Sequence, residues 1–280
     1  MVREVLEGLD PHPGDRVLDC TVGAGGHAEL ILERIRPGGF LVGCDRDPEM
    51  IEYARRRLAR FSDGWRLENR EFSRWEGEGK FDGILADLGV SSLQLDEAER
   101  GFSFRNPGPL DMRMDRRERK TAADLVNRLR EKDLADLIYR YGEEGRSRRI
   151  SRRIVEARRR RPIRDTEELA EIVARAVGRR GRIHPATRVF QALRIALNEE
   201  LRNLERLLER APGLLREGGR ICLISFHSLE DRLVKTAFRR WEREEGLARV
   251  LTPKPLRPGA EEVAANPRAR SARLRVALRI

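Results

Sequence analysis

Up to Asp87, short apolar runs alternate with stretches of helical spacing. Arg16-Val17-Leu18-Asp19-Cys20 is a brief apolar run that leads into Gly23, Gly25 and Gly26. Ala28 to Arg36 then carries Leu30, Ile31 and Ile35 at helical intervals and stops before Pro37-Gly38-Gly39. Phe40 to Asp45 predicts a second strand and Pro48 to about Arg60 a helix with proline in its first turn. Trp65 to Phe72 predicts a third strand and Phe81 to Asp87 a fourth. Repeated strand–helix units with strands apolar almost throughout predict an α/β fold, a doubly wound and mostly parallel sheet covered on both faces.

The pattern then changes. From Thr121 to Val177 only helical spacing remains, over 121–130, 131–141, 147–161 and 166–177, the last started by Asp165. A long helix is predicted from Pro185 to about Arg210, with Phe190, Leu193, Leu197, Leu201, Leu204 and Leu208 three or four residues apart. Strand and helix signals return with a strand over 220–226, a helix over 229–241 and closing strands over 249–252 and 274–280, while 253–267 reads as a proline-containing loop. The expected organisation is one α/β domain over 1–106 and 200–280, interrupted by an all-helical insertion over 107–199.

Composition narrows the class of partner. The 280 residues are 39% hydrophobic, enough for a core, and 38% charged. No apolar run approaches the roughly 18 residues of a membrane span, and Met1-Val2-Arg3-Glu4 opens no signal peptide, so a soluble cytoplasmic protein with no membrane role is expected. Cys20, Cys44 and Cys222 each sit among aliphatic residues, which predicts buried strand positions rather than disulfides or a zinc site. The net charge is +11, and the stretch from Arg146 to Arg164 alone carries ten arginines against one acid, Glu156. Such a stretch suits a nucleic-acid backbone, with a solvated helix face as the alternative. Ile150, Ile154 and Val155 give it an apolar edge, so an amphipathic helix packed on one side is expected.

Candidate chemistry gathers at the strand ends. Gly23-Ala24-Gly25-Gly26-His27-Ala28 lies between a strand and a helix, where glycine permits close approach of a ligand and the helix offers unpaired N–H groups. Asp45 ends the second strand, placed for ribose hydroxyls or for a helix cap. The hexad satisfies G-x-G-x-x-A, so a nicotinamide dinucleotide is one cofactor that fits. Asp19 favours S-adenosylmethionine instead: a carboxylate there would repel pyrophosphate but attract the cationic half of a sulfonium amino acid. Asp87-Leu88-Gly89-Val90-Ser91-Ser92 forms a further polar loop at a strand's carboxyl end. No metal-ligand set stands out.

On the substrate side, Thr187, Gln191, Arg194 and Asn198 form a polar stripe along the predicted long helix. Asparagine is a poor helix former, so Asn198 hints at a specific contact. His227, after the strand ending at Ser225, reads equally as a proton-handling group or as a helix cap.

Several blocks in this order resemble one family. They are Asp19 to His27, Asp87 to Ser92, Arg100-Gly101-Phe102-Ser103-Phe104, Gly108 to Met114, His184 to Ile195, Ser225 to Arg232 and Asn266 to Ser271, and together they are similar to the bacterial 16S ribosomal RNA cytosine-N4 methyltransferases. The resemblance implies a class I methyltransferase fold with a helical insertion after the fourth strand and S-adenosylmethionine as donor. It implies a cytosine in the decoding region of 16S ribosomal RNA as acceptor, within the small ribosomal subunit, and leaves a homodimer open. Carried over residue by residue, it implies that Gly25, Gly26 and His27 form the glycine-loop contact and Asp45 holds the ribose. Phe72 would then lie beside the adenine, and Asp87 and Gln94 would complete the cofactor site. Ser91, Arg113, Arg188, Arg194, Ser228 and Arg268 lie in or beside these blocks and are the candidate RNA contacts. Asp87, His227 and Asn198 are the candidate catalytic groups. Relatives carry a His-x-Pro-Val segment just before the stretch matching Met1-Val2-Arg3-Glu4; either the chain's start lies further upstream or this edge of the site is built differently.

The N4 amine of cytosine has its lone pair delocalised into the ring and is a poor nucleophile, so an enzyme acting on it must orient that lone pair and accept hydrogen bonds from the amine. Asp87 or the carbonyls of Leu88 to Val90 are expected to do so, with His227 or solvent receiving the proton. Leu88-Gly89-Val90 offers no aromatic to stack on the base, which leaves Phe102, Phe104 or Phe226 for that role.

Overall fold

A computed structural model describes residues 1–75, 79–178 and 184–280 and divides the chain into two compact units, 1–89 with 201–280, and 90–200. In chain order the first unit runs α1 (Val2–Leu9), β1 (Arg16–Asp19), α2 (Gly26–Ile35), β2 (Phe40–Asp45), α3 (Pro48–Leu58), β3 (Trp65–Asn69) and β4 (Phe81–Asp87). The second unit follows with α4 (Ser92–Asp96), α5 (Ala122–Arg128), α6 (Glu131–Gly142), α7 (Ser147–Arg158), α8 (Thr166–Val177) and α9 (Ala186–Leu197). The chain then returns through α10 (Glu200–Leu214), β5 (Leu215–Ser225), α11 (Ser228–Arg243), β6 (Ala248–Val250), α12 (Ala260–Ala265) and β7 (Arg273–Arg279).

The seven strands form one sheet in the order β3-β2-β1-β4-β5-β7-β6, parallel from β3 to β5, with β7 antiparallel to both its neighbours. The side-chain period of two explains the continuous apolar strands. Val17, Leu41, Leu85 and Cys222 face α1, α2 and α3, whereas Leu18, Val42, Ile84 and Ile221 face α10 and α11. Both faces are dry, as a parallel sheet with crossover helices requires. All three cysteines are free and buried. No described helix is long and apolar enough to cross a membrane.

Order reverses between β1 and β4, since the chain moves outward through β2 and β3 on one side and through β5 on the other. The carboxyl ends at such a switch point leave a crevice. Gly25 opens α2 at φ 82, and a Cβ there would stand 3.2 Å from the Ala54 backbone of α3, so only glycine fits this turn.

Four expectations are corrected. The third strand ends at Asn69, and Phe72 begins a 3-10 turn, Phe72–Arg74, instead of ending a strand. The N-terminal helix α1, which buries Val5 and Leu9, was not foreseen, and α12 occupies part of the expected loop. The second unit starts at Val90, not at 107, because Val90, Leu95, Phe102 and Phe104 pack into the helical core with Ile138, Ile154 and Leu193. The predicted long helix is two: α9 ends at Leu197 and α10 starts at Glu200, with Glu199 in the left-handed region at φ 51.

Asn198 sits at that break, 2% exposed. Its Oδ1 accepts from the Met114 N–H at 2.9 Å, and its Nδ2 donates to the carbonyls of Met112 and Arg194, each at 2.9 Å. The expectation of a catalytic Asn198 is therefore replaced by a structural one, because donors and acceptor alike hold the backbone of 112–114 to the end of α9. Asn198→Ala leaves a buried N–H and C=O unpaired, so its urea unfolding midpoint is expected to fall by an amount worth about 1–3 kcal/mol. An unchanged midpoint would contradict the clamp.

Candidate active site

Asp19, Asp45 and Asp87 end β1, β2 and β4, which are adjacent and parallel, so the three carboxylates lie along one edge of the sheet. The glycine turn from Gly23 to Gly26 rises from the same edge and opens α2, with His27 in its first turn. Cofactor candidates far apart in sequence are thus brought together.

Hydrogen bonds fix the acids. Asp45 Oδ2 accepts from the Gly23 N–H at 3.0 Å and Oδ1 from the Asp47 N–H at 2.9 Å, which ties the glycine turn to β2. Each oxygen keeps a second lone pair, so the ribose role and the turn-holding role are compatible. Asp47, not Asp45, caps α3 through the Glu49 N–H. Thr21 joins the other two acids: its N–H donates to Asp19 Oδ1 at 3.1 Å, and its Oγ1 accepts from the Asp87 N–H at 2.6 Å. This threonine escaped the sequence reading, although a short hydroxyl between a strand-end aspartate and a glycine turn is a usable signal.

Two carboxylate oxygens, Asp19 Oδ2 and Asp87 Oδ1, are buried with no hydrogen-bond partner among the described residues. His27 Nε2 lies 3.6 Å from Asp87 Oδ2. Burial pushes the Asp19 carboxyl up to about 7, against the pull of His27 and the Thr21 N–H, with Asp87 and Asp45 adding to the rise. Burial likewise takes Asp45 to about 6 despite the Asp47 and Gly23 N–H groups. For His27, burial opposes the charge, but the hydrogen bond and attraction of Asp87, with Asp19 behind it, outweigh it and raise its pKa. Asp19 and Asp87 facing one imidazole, with Asp45 near Asp19, leave a desolvated negative excess. A cation relieves it; a pyrophosphate would add to it.

The remaining candidates are placed as follows. Phe72 lies past the end of β3, half-buried against the core beneath α10 and α11. Gln94 and Ser91 belong to the second unit, where they cap α4 reciprocally: Gln94 Oε1 accepts from the Ser91 N–H at 2.9 Å and Ser91 Oγ from the Gln94 N–H at 3.2 Å. Ser228 is the first residue of α11 and Arg268 lies in the 3-10 turn Pro267–Ser271. Phe102 and Phe104 pack in the helical core, with the Phe104 ring 4.8 Å from that of His184 and 5.0 Å from that of Phe190.

Three candidates are corrected. His227 is the N-cap of α11: its Nδ1 accepts from the Glu230 N–H at 3.3 Å, its Nε2 lies 3.2 Å from Glu230 Oε1, and its side chain is buried. Glu230 Oε2 accepts in turn from the Phe226 N–H, so of the two readings the capping one holds. Arg194 forms a bidentate pair with Glu200 at 2.8 and 2.9 Å. Arg113 forms another with Asp111 at 2.8 and 2.7 Å and donates to two carbonyls, which depresses the Asp111 carboxyl against the opposing effect of burial. Both guanidiniums are held inside their own unit rather than offered to RNA. Arg188 is half-exposed, bonded to the Glu143 carbonyl and Glu144.

Fold and site together define a class I methyltransferase with S-adenosylmethionine as donor: the glycine turn, Asp45 at the end of β2 and the unpartnered oxygens of Asp19 and Asp87 suit a cationic nucleoside. The chain belongs to the MraW methylase family, whose pattern matches residues 1–280. It is 55% identical over 282 residues to the ribosomal RNA small subunit methyltransferase H of Gloeobacter violaceus, covering 100% of this chain and 87% of that one. Identity to the protein of the same name from Geobacter sulfurreducens is 52% over 300 residues, covering 99% and 96%, and to that from Cyanothece sp. 52% over 278 residues, covering 99% and 92%. The nicotinamide reading of the glycine hexad is thereby overturned.

Asp19 gives a pH prediction. Its folded carboxyl, near 7, keeps a proton that an ordinary aspartate at 3.8 gives up. Its contribution to folding is therefore whole below about pH 4 and is lost as pH rises to about 7. Asp19→Asn is expected to match the parent's melting temperature near pH 4 and to exceed it at pH 8, while donor affinity at pH 8 falls about tenfold or more by calorimetry. Equal melting temperatures at both pH values would remove Asp19 from this account.

Proposed function

We propose that the chain transfers a methyl group from S-adenosylmethionine to the N4 amine of a cytosine in the decoding region of 16S ribosomal RNA, acting in the cytoplasm on RNA within the small ribosomal subunit. The observation that carries this reading is Asp87: a part-exposed carboxylate with one buried, unpartnered oxygen, beside the glycine turn, on the last strand before the chain enters an arginine-rich helical unit. The names of the relatives support a ribosomal RNA substrate.

The donor, when bound, supplies an electrophilic methyl group. Asp87 Oδ1 accepts a hydrogen bond from the N4 amine, which turns the nitrogen lone pair out of conjugation and toward that methyl. As the nitrogen gains the methyl it loses a proton, which Asp87 takes and passes to solvent. His27 Nε2, 3.6 Å from Oδ2, faces the other oxygen of the same carboxylate. His227 Nδ1 is engaged in capping α11, and solvent receives the proton from Asp87. Orientation supplies much of the acceleration.

RNA affinity comes from the second unit. The apolar edge of α7, Ile150, Ile154 and Val155, is buried, which leaves its arginines on the outer face. Several of them are tethered, Arg148 to Asp136, Arg153 to Glu156 and Arg158 to the carbonyls of Val126 and Leu129. Arg149, Arg159, Arg160 and Arg164 make no ion pair among the described residues and are exposed. Phosphates binding there release counterions and offset the few kcal/mol needed to extrude a base.

The test is incubation with tritiated donor and undermodified small subunits, followed by nucleoside analysis for N4-methylcytidine. Asp87→Ala is expected to lower turnover about 10²–10⁴-fold, and Asp87→Asn to lower it as well, with donor saturation checked separately. Near-normal turnover in both proteins would take Asp87 out of the chemistry; absence of N4-methylcytidine with the parent protein would end the reading.

A further inference from the structure

Tyr139 on α6 is 65% exposed, more than any other large hydrophobic residue described. A lone exposed tyrosine has no special meaning. Its surroundings give this one meaning. Asp136, one turn earlier on the same face, holds Arg148 of α7 at 3.0 Å, and Arg148 remains 66% exposed. Glu143, one turn later, receives Arg188 of α9 on its carbonyl at 3.3 Å, and Arg188, 3.4 Å from Glu144, remains 54% exposed. The spacing of three keeps Asp136 on the helix face of Tyr139, and the Glu143 carbonyl lies just past the end of α6, where Glu143 caps the helix at φ 48. An exposed aromatic ring is thus accompanied by two anchored guanidiniums, one tied to its own helix face and one to the end of α6, all within the helical unit.

We propose that this surface binds an unpaired nucleotide of the RNA substrate, with its base stacked on the Tyr139 ring and its flanking phosphates on Arg148 and Arg188. The alternatives to water for an exposed ring are a nucleobase or an apolar protein surface. The charge decides between them: the tethered guanidiniums, with Arg149 beside Arg148 making no ion pair among the described residues, complement a polyanion. Each guanidinium has five N–H donors, so an ion pair with one carboxylate leaves donors for a phosphate. A stacking platform beside cations favours single strands, because in a duplex the base faces are already covered.

The inference rests on the RNA-methyltransferase reading for its class of partner, but it is read by binding rather than by methyl transfer. The probes are a fluorescent short oligouridine and a blunt RNA duplex of equal length, titrated with the full chain. Tyr139→Ala is expected to weaken oligouridine binding about 5- to 100-fold, Tyr139→Trp to retain it, and both to leave duplex binding and melting temperature unchanged. Arg188→Ala is expected to weaken both probes and to reduce the salt dependence of binding. Oligouridine binding unaffected by Tyr139→Ala, or a loss shared equally with the duplex, overturns the proposal, and so does retained RNA binding with loss of small-subunit docking, which would assign the ring to a protein surface. A parent protein that binds RNA through Tyr139 yet leaves small subunits unmethylated would overturn the functional reading and not this one.

Discussion

Buried negative charge without enough internal compensation is the constraint on which the catalytic unit turns. Asp19 and Asp87 each keep a desolvated oxygen with no hydrogen-bond partner among the described residues, and one imidazole, His27, stands against the two. Such an arrangement costs stability in the free protein. It persists because the sheet around it is over-determined: both faces of β1 and β4 are packed, and Thr21 pins the two acids through backbone and hydroxyl at once. A cationic donor supplies the missing charge. Binding and the relief of this strain are the same event, so donor affinity does not depend on long-range attraction that salt would screen.

Connectivity places the substrate chemistry. The chain leaves the sheet at Asp87 and enters the helical unit at Val90, so the proposed acceptor of the amine's hydrogen bond and the unit that carries the arginines are neighbours along the chain. The helical unit has its own core around Ile138, Ile154 and Leu193, closed by polar clamps that use side chains otherwise suited to ligands. Asn198, Arg113 and Arg194 are all of this kind. Each of them spends its donors inside the helical unit, which leaves the outward arginines of α7 and α9 among its exposed cations.

Much of the α/β unit was legible because its strands are short, apolar and punctuated by glycine, proline and aspartate. Bounds within a few residues followed for β1, β2, β4 and α8. The glycine turn and the acids of the site were legible for the same reason, since a parallel sheet turns strand ends into one edge. Errors fell where tertiary hydrogen bonds override local pattern. The leucine spacing runs unbroken through 190–208, yet Asn198 and a left-handed Glu199 split the helix there. His227 carries no local mark that distinguishes a cap from a base until its Nδ1 is seen to accept from the Glu230 N–H. Helix α1 is too short for its apolar spacing to stand out from a chain end.

Arginine content looks at first like a single signal for nucleic acid, but the structure separates two uses of the same side chain. Where a guanidinium meets a carboxylate in a fork or reaches buried carbonyls, as Arg113, Arg158 and Arg194 do, its planar donors act as internal mortar, a role lysine fills poorly. Where it is tethered through a single nitrogen and still half in water, as Arg148 and Arg188 are, its orientation is set in advance and donors remain for a ligand. Tethering reduces the side-chain entropy lost on binding, at the cost of partial charge neutralisation. The net charge of the chain therefore overstates the number of phosphates it can hold, and the salt dependence of RNA binding should reflect the outward set alone.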